Sequence, residues 1–184
     1  MGRARKRARK KPGRPARPRR EVRRSATVSS FSRTVSVACA GAFAGGCLVV
    51  SVVLVPTWRE MDPEAFLAWF QENGPRLGLT LFPLEVAGAL FAVLAFFGAV
   101  RRGSNGRLPW GLSSLCIVAT LVLLPLYFAG ANARMIEGNM GAREVGAELA
   151  SWQGWQWLRT ALAVLAVAFG GWGLGRERAE RTPK

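Results

Sequence analysis

The sequence predicts an all-α membrane protein, a bundle of four transmembrane helices preceded by a disordered basic tail. Three observations carry that prediction. Half of the 184 residues are apolar, yet the net charge is +15. The two properties are segregated along the chain: residues 1–34 hold 14 of the 26 basic residues and a single acid, Glu21. After them come four apolar runs, each long enough at ~1.5 Å per residue to cross the ~30 Å hydrocarbon layer of a bilayer. A soluble basic domain does not combine such charge with so large an apolar fraction.

Taken in order, residues 1–34 contain Pro12, Pro15 and Pro18 and almost no large apolar side chain. Such a segment cannot bury a core and is expected to be disordered. The first span runs over 35–55 without a charge and is followed by Pro56-Thr57-Trp58 rather than a small-residue cleavage site, so it reads as an uncleaved anchor. An organelle transit peptide, also Arg-rich and acid-poor, is the lesser reading of the start. The second span, 77–100, is interrupted only by Glu85 and stopped by Arg101-Arg102. The third, 108–129, carries no charge, and the fourth, 155–175, has Arg159 near its start and Arg176 at its close.

The connections orient the bundle. The stretches 1–34, 101–107 and 176–184 carry 14, 3 and 4 basic residues, whereas 56–76 and 130–154 carry two each against seven acids in total. Short cytoplasmic loops collect Lys and Arg, so both termini are expected in the cytoplasm, with the protein in the plasma or inner membrane. Trp58, Trp69, Trp152, Trp155 and Trp157 fall near the outer boundary, Trp110 and Trp172 near the inner one, where amphipathic rings anchor. Asp62-Pro63-Glu64 has the form of a helix start, with Asp as cap and Pro at the first helical position. Phe66, Trp69 and Phe70 then share one face, which predicts a short helix on the outer membrane surface or packed on the bundle. Residues 131–149 read as an outward, broken continuation of the third span.

Several chemistries are excluded or disfavoured. The chain has no His, which removes His-ligated haem, His-containing zinc sites and Ser-His-Asp hydrolysis. Cys39, Cys47 and Cys116 form no CxxC pair and read as small hydrophobes within spans. No metal and no cofactor is expected. Glu85 lies about eight positions into its span, a depth at which a carboxylate costs several kcal/mol unless neutral, hydrated or paired. It is a candidate catalytic or substrate-contacting group in an outward cavity, or the structural partner of Arg159. Asn132, Trp155 and Arg159 are the candidate ligand-binding residues. Trp152, Trp155 and Arg159 share a helical face, and an Arg beside indole rings can hold an anionic or phenolic group. Interfacial anchoring is the competing account of Trp152.

Gly41 and Gly45 form a GxxxG, which serves packing within the bundle or a homo-oligomer seam, and Gly170, Gly171, Gly173 and Gly175 line the fourth span. In the tail, Lys11-Pro12-Gly13-Arg14-Pro15 is similar to half of an AT-hook, but Pro12 replaces the Arg that precedes its Gly. Anionic lipid is the plainer partner at ~1 kcal/mol per basic residue near the surface, and nucleic acid is disfavoured.

Some of these features together resemble the family of small four-span membrane proteins that includes the anthrone oxygenases of polyketide pathways. The likeness covers about residues 35–175. It rests on a Gly/Ala-rich first span ending in Pro56, the segment Pro63-Glu64-Ala65-Phe66-Leu67-Ala68-Trp69-Phe70, Asn132 just after the third span, and Trp155-Gln156-Trp157-Leu158-Arg159-Thr160 opening the fourth. The resemblance implies a cavity near the outer ends of spans three and four, with Asn132, Trp155 and Arg159 around a phenolic or anthrone-like molecule. Any catalysis it implies is cofactor-free oxygenation, in which the deprotonated substrate itself reduces oxygen. Some members place a His near the fourth-span Arg, where this chain has Gln156 and Trp157. The alternative function is a non-enzymatic scaffold or accessory subunit binding a partner or anionic lipid through its tail. A small transporter is disfavoured, because one deep acid and no inverted repeat are present.

Overall fold

The structure, a computed structural model, describes residues 19–180, with side chains described from Phe31. Within these residues the chain is helical and holds four helices long and apolar enough to span a membrane, over Phe31–Glu60, Pro63–Arg102, Arg107–Glu137 and Ala142–Glu180. It is therefore a multi-pass membrane protein in contact with the lipid bilayer. The elements are α1 (Arg19–Val49), a π-helical turn (Val50–Leu54), α2 (Val55–Glu60), α3 (Pro63–Arg102), α4 (Arg107–Leu123), a second π-helical turn (Leu124–Phe128), α5 (Ala129–Glu137) and α6 (Ala142–Ala179). Short connections make successive helices antiparallel. α1 packs on α3 and α6, and α4 also packs on α3 and α6, giving the cyclic order α1–α3–α4–α6 with α1/α4 and α3/α6 as diagonals.

Each boundary has a local cause. Pro63 opens α3, where its missing N–H would have been an orphan in any case, and Phe66 N–H donates to Asp62 O at 2.9 Å. The Asp62 side chain makes no capping bond, so the expected cap acts through its backbone alone. Gly103 (φ 62°) and Gly138 (φ 71°) end α3 and α5 in the left-handed region that suits a residue without Cβ. The Glu144 carboxylate accepts from Gly141 N–H at 2.9 Å and closes the start of α6.

The spans are longer than the apolar runs. α3 has 40 residues, about 60 Å at 1.5 Å each and twice the hydrocarbon thickness. The separate surface helix expected around residues 63–70 is instead the beginning of α3, and Phe66 and Phe70 are buried against the bundle. The third helix does continue outward through a π-helical turn to Glu137, but it ends there: 142–149, read as part of that broken continuation, form the first turns of α6 instead. Most of the basic tail lies outside the described residues. Arg33, counted with that tail, is buried in an ion pair with Glu177 near the end of α6. Arg102 reaches the same carboxylate at 3.4 Å, and Glu180 accepts from Ser104 Oγ at 2.9 Å and Asn105 N–H at 2.7 Å. These contacts tie together the end of the bundle nearest the termini, called here the terminal end; the opposite end is the distal end.

Close helix approach falls on glycines other than the GxxxG pair. A Cβ at Gly88 would lie 3.2 Å from Ala40 N, and one at Gly173 would lie 2.8 Å from Nε1 of the buried Trp110. Gly41 and Gly45 meet nothing within 4 Å, so they do not pack within the bundle as the motif suggests. Trp110, expected at the membrane interface, is fully buried because Gly170 and Gly173 leave room for its indole. Replacement of Gly88 by Leu should therefore destabilise the detergent-solubilised protein by about 1–3 kcal/mol, the cost of overpacking. Gly41→Leu should leave the thermal melt within about 0.5 kcal/mol of the parent. Equal melts for the two variants would show that the Gly88 contact is not tight.

Candidate functional site: a cavity at the distal end

The sequence interrupts two helices at similar depth. Pro125 lies in the second π-helical turn and Pro56 follows the first; without N–H groups they leave helical carbonyls short of a donor. The ladder widens to i→i−5 bonds, Val55 N–H to Val50 O and Ala129 N–H to Leu124 O. Polar side chains from α6 serve the first irregularity. Cys47 O accepts from Ser51 Oγ at 2.9 Å and from Gln156 Nε2 at 3.3 Å, and Ser51 and Thr160 hydroxyls share a bond of 2.9 Å. In a medium without water, such cross-helix bonds are how freed backbone groups are satisfied.

Above this polar belt the helices part around a cavity of about 550 Å³. Its walls come from α3 between Phe70 and Pro83, from Val50 and Trp58, from Leu124, Phe128 and Asn132, and from Trp152, Gln156 and Arg159 on α6. The lining is mainly apolar, with three polar side chains, Asn132, Gln156 and Arg159, the composition typical of small-molecule sites. Large aromatic side chains brace it. The Trp58 ring lies 5.5 Å from Trp152 and 5.7 Å from Phe70, and Phe128 meets Trp152 edge-on at 5.4 Å.

Arg159 is the most constrained group of the site. Its Nη2 donates to Glu85 Oε2 at 2.6 Å, and its guanidinium carbon lies 5.0 Å from both the Phe43 and Phe128 ring centroids. The cation is thus held by one carboxylate and two aromatic rings, surroundings that suit guanidinium and not ammonium. Glu85 is fully buried and does not line the cavity. Glu85 Oε1 and Arg159 Nε are both buried without hydrogen-bond partners. Trp152 Nε1 donates to Asn132 Oδ1 at 3.0 Å, which engages the amide oxygen and leaves the NH2 as the donor of this side chain.

Of the candidates read from the sequence, Asn132 and Arg159 come together at the cavity, and Glu85 stands behind Arg159 as its ion-pair partner. Trp155 does not line the cavity: it stacks on Tyr127 at 5.2 Å, one helical position around from the lining face. Trp152, read as a membrane-interface anchor, is buried, as is Trp58, because the two indoles pack on each other and on Phe66, Phe70 and Phe128. Gln156 was missed. Its place four residues after Trp152 and three before Arg159 puts it on their shared face, a signal present in the spacing. Among the described residues no three or more His, Cys, Asp or Glu side chains gather as a metal-binding set.

Removing one member of the Glu85–Arg159 pair leaves a buried charge alone. Glu85→Gln should lower stability by about 3–5 kcal/mol, whereas the volume-matched Glu85→Leu/Arg159→Met should recover most of it. Denaturant melts in detergent decide the matter; an unperturbed Glu85→Gln variant would mean that the pair does not hold the bundle. Comparison with family models, curated proteins and solved structures finds no match to the chain.

Proposed function

We propose that the distal cavity binds a small aromatic molecule bearing a phenolic or similar oxygen, with the oxygen received by Arg159, Asn132 and Gln156. The observation that carries this reading is a preformed cavity of about 550 Å³ with aromatic walls and one fixed guanidinium, Arg159, set beside the wall residue Phe128. Arg159 is already half-neutralised by Glu85, so a neutral or weakly acidic oxygen suits it better than a fully charged phosphate in this low dielectric. The residues support binding and orientation. Glu85 holds Arg159 in place and offers no oxygen to the cavity, so it serves as a positioning residue. The likeness to anthrone oxygenases extends the proposal to cofactor-free oxygenation of such a phenol, in which the deprotonated substrate gives its electrons to dioxygen. That step depends on the substrate's own ionisation beside Arg159.

The distal end faces away from the cytoplasm in this proposal, since the basic residues gather at the terminal end. In a background without native cysteines, Asn139→Cys should react with a membrane-impermeant maleimide on intact cells, and Asn105→Cys only after permeabilisation. The reverse pattern would invert the topology. The binding reading is tested with 4-hydroxybenzophenone, a photoreactive phenol, on protein in phosphatidylcholine nanodiscs. Crosslinks should map to Phe70, Phe128 and Trp152, compete with 1-naphthol, and fall at least tenfold in Glu85→Leu/Arg159→Met. Labelling spread over the lipid-facing helices, or undiminished in a folded double variant, would sink it.

A further inference from the structure

We infer that the ligand is a membrane-dissolved amphiphile, a phenol- or quinone-type ring carrying a long apolar tail, and that it reaches the cavity sideways from the bilayer. The inference rests on the binding reading above and names the class of molecule and its path. Its basis is where the cavity opens. All the strongly exposed lining residues belong to one stretch of α3: Pro75, Gly78, Leu79, Phe82 and Pro83, with Leu79 at 77% and Phe82 at 46% exposure. α3 packs on α4 and on α5 but only thinly on the π-helical turn between them. The bulge at Pro125 and the two prolines of α3 border that gap. Its opposite lip is Leu124, with Leu126 beside it at 65% exposure.

The gap lies at hydrocarbon depth. Exposed Arg76 marks the level of the polar boundary on α3, and Phe82 is six positions further in, ~9 Å deeper at ~1.5 Å per residue. On the other lip, Leu126 lies eight positions, ~12 Å, inward of exposed Arg134. The window starts beside Arg76 and runs inward, and its inner part, bordered by Leu79, Phe82, Pro83 and Leu126, is open to solutes from the lipid. The polar groups lie on the far wall, on α6 and α5, so a molecule passing through the window places its head on Arg159 and leaves its tail among the lipids. Gly78 keeps the window open: a Cβ there meets nothing within 4 Å, so a larger side chain can occupy the gap without displacing a neighbour.

The test uses two phenols with the same head, 3-pentadecylphenol and 3-ethylphenol, competing against 4-hydroxybenzophenone labelling in phosphatidylcholine nanodiscs. Both are compared at equal mole fraction in the bilayer. The long-chain phenol should compete at least tenfold better in the wild type. In Gly78→Phe, or the milder Gly78→Leu, that advantage should vanish, the long-chain phenol competing no better than 3-ethylphenol measured in the same variant. Gly45→Phe, on an equally open face of α1, is the control and should change neither. Equal competition by the two phenols in the wild type would overturn the tailed-ligand inference and leave the binding reading standing. So would an advantage that survives a folded Gly78 variant. Palmitate competing as well as 3-pentadecylphenol would overturn the ring-bearing head. Failure of every phenol to compete would instead remove the binding reading itself.

Discussion

One buried ion pair governs the arrangement of this bundle. Glu85 and Arg159 lie on α3 and α6, diagonal helices with little direct packing, and their bond of 2.6 Å spans the interior between them. Two charges in the interior of a membrane protein are tolerated only if they meet in good geometry. That requirement fixes the depth of α3 against α6. It also recruits the other two helices, because Phe43 of α1 and Phe128 of the third helix bring their rings to the guanidinium. A single pair therefore touches all four spans, and their relative rotation is constrained by it.

The irregular turns answer to the same constraint. In an unbroken α-helix through Val50, Cys47 O would be paired with Ser51 N–H, and Gln156 and Thr160 would have no freed carbonyl to serve. The π-helical turns put an extra residue into each turn, loosen the local ladder, and rotate the residues beyond it. Cys47 O becomes an acceptor for α6, while Phe128 and Asn132 are both turned to the wall of one cavity. Bulge, polar belt and cavity are thus one local structure and not three separate features.

The same coupling decides which parts could be read from the sequence. Four spans follow from length and hydropathy alone, and the cost of an acid at that depth requires Glu85 to be neutral, hydrated or paired, with Arg159 as the partner the sequence offers. The helix ends did not, because α3, α5 and α6 continue through amphipathic sequence whose aromatic residues look interfacial until a neighbour covers them. Trp58 and Trp152 are the clearest instances: each resembles a membrane anchor in the chain, and each is core in the fold. Trp155 and Gln156 exchange roles for a similar reason. The spacing from Arg159 allows either residue near the lining face, and the packing of α6 decides that Gln156 lines the cavity while Trp155 stacks on Tyr127. GxxxG gave the opposite error, since Gly41 and Gly45 face open space and the close contacts fall on Gly88, Gly170 and Gly173.

The two ends of the bundle solve opposite problems with the same kinds of residue. At the terminal end, glycines of α6 admit one indole, Trp110, and the helices close around it, with Arg33, Arg102 and Glu177 sealing the end. At the distal end, Trp58, Trp152, Phe70 and Phe128 meet each other across the helices, and the one glycine beneath them, Gly74 under Phe70, belongs to Phe70's own helix. Ring against ring keeps helix axes further apart than ring against glycine, so the distal helices cannot close to the same degree. The space left over is walled by rigid side chains with few rotamers, and it persists because filling it would require removing an aromatic and not merely turning one. The aromatic bracing thus holds the cavity open from all sides, with one guanidinium fixed at its wall.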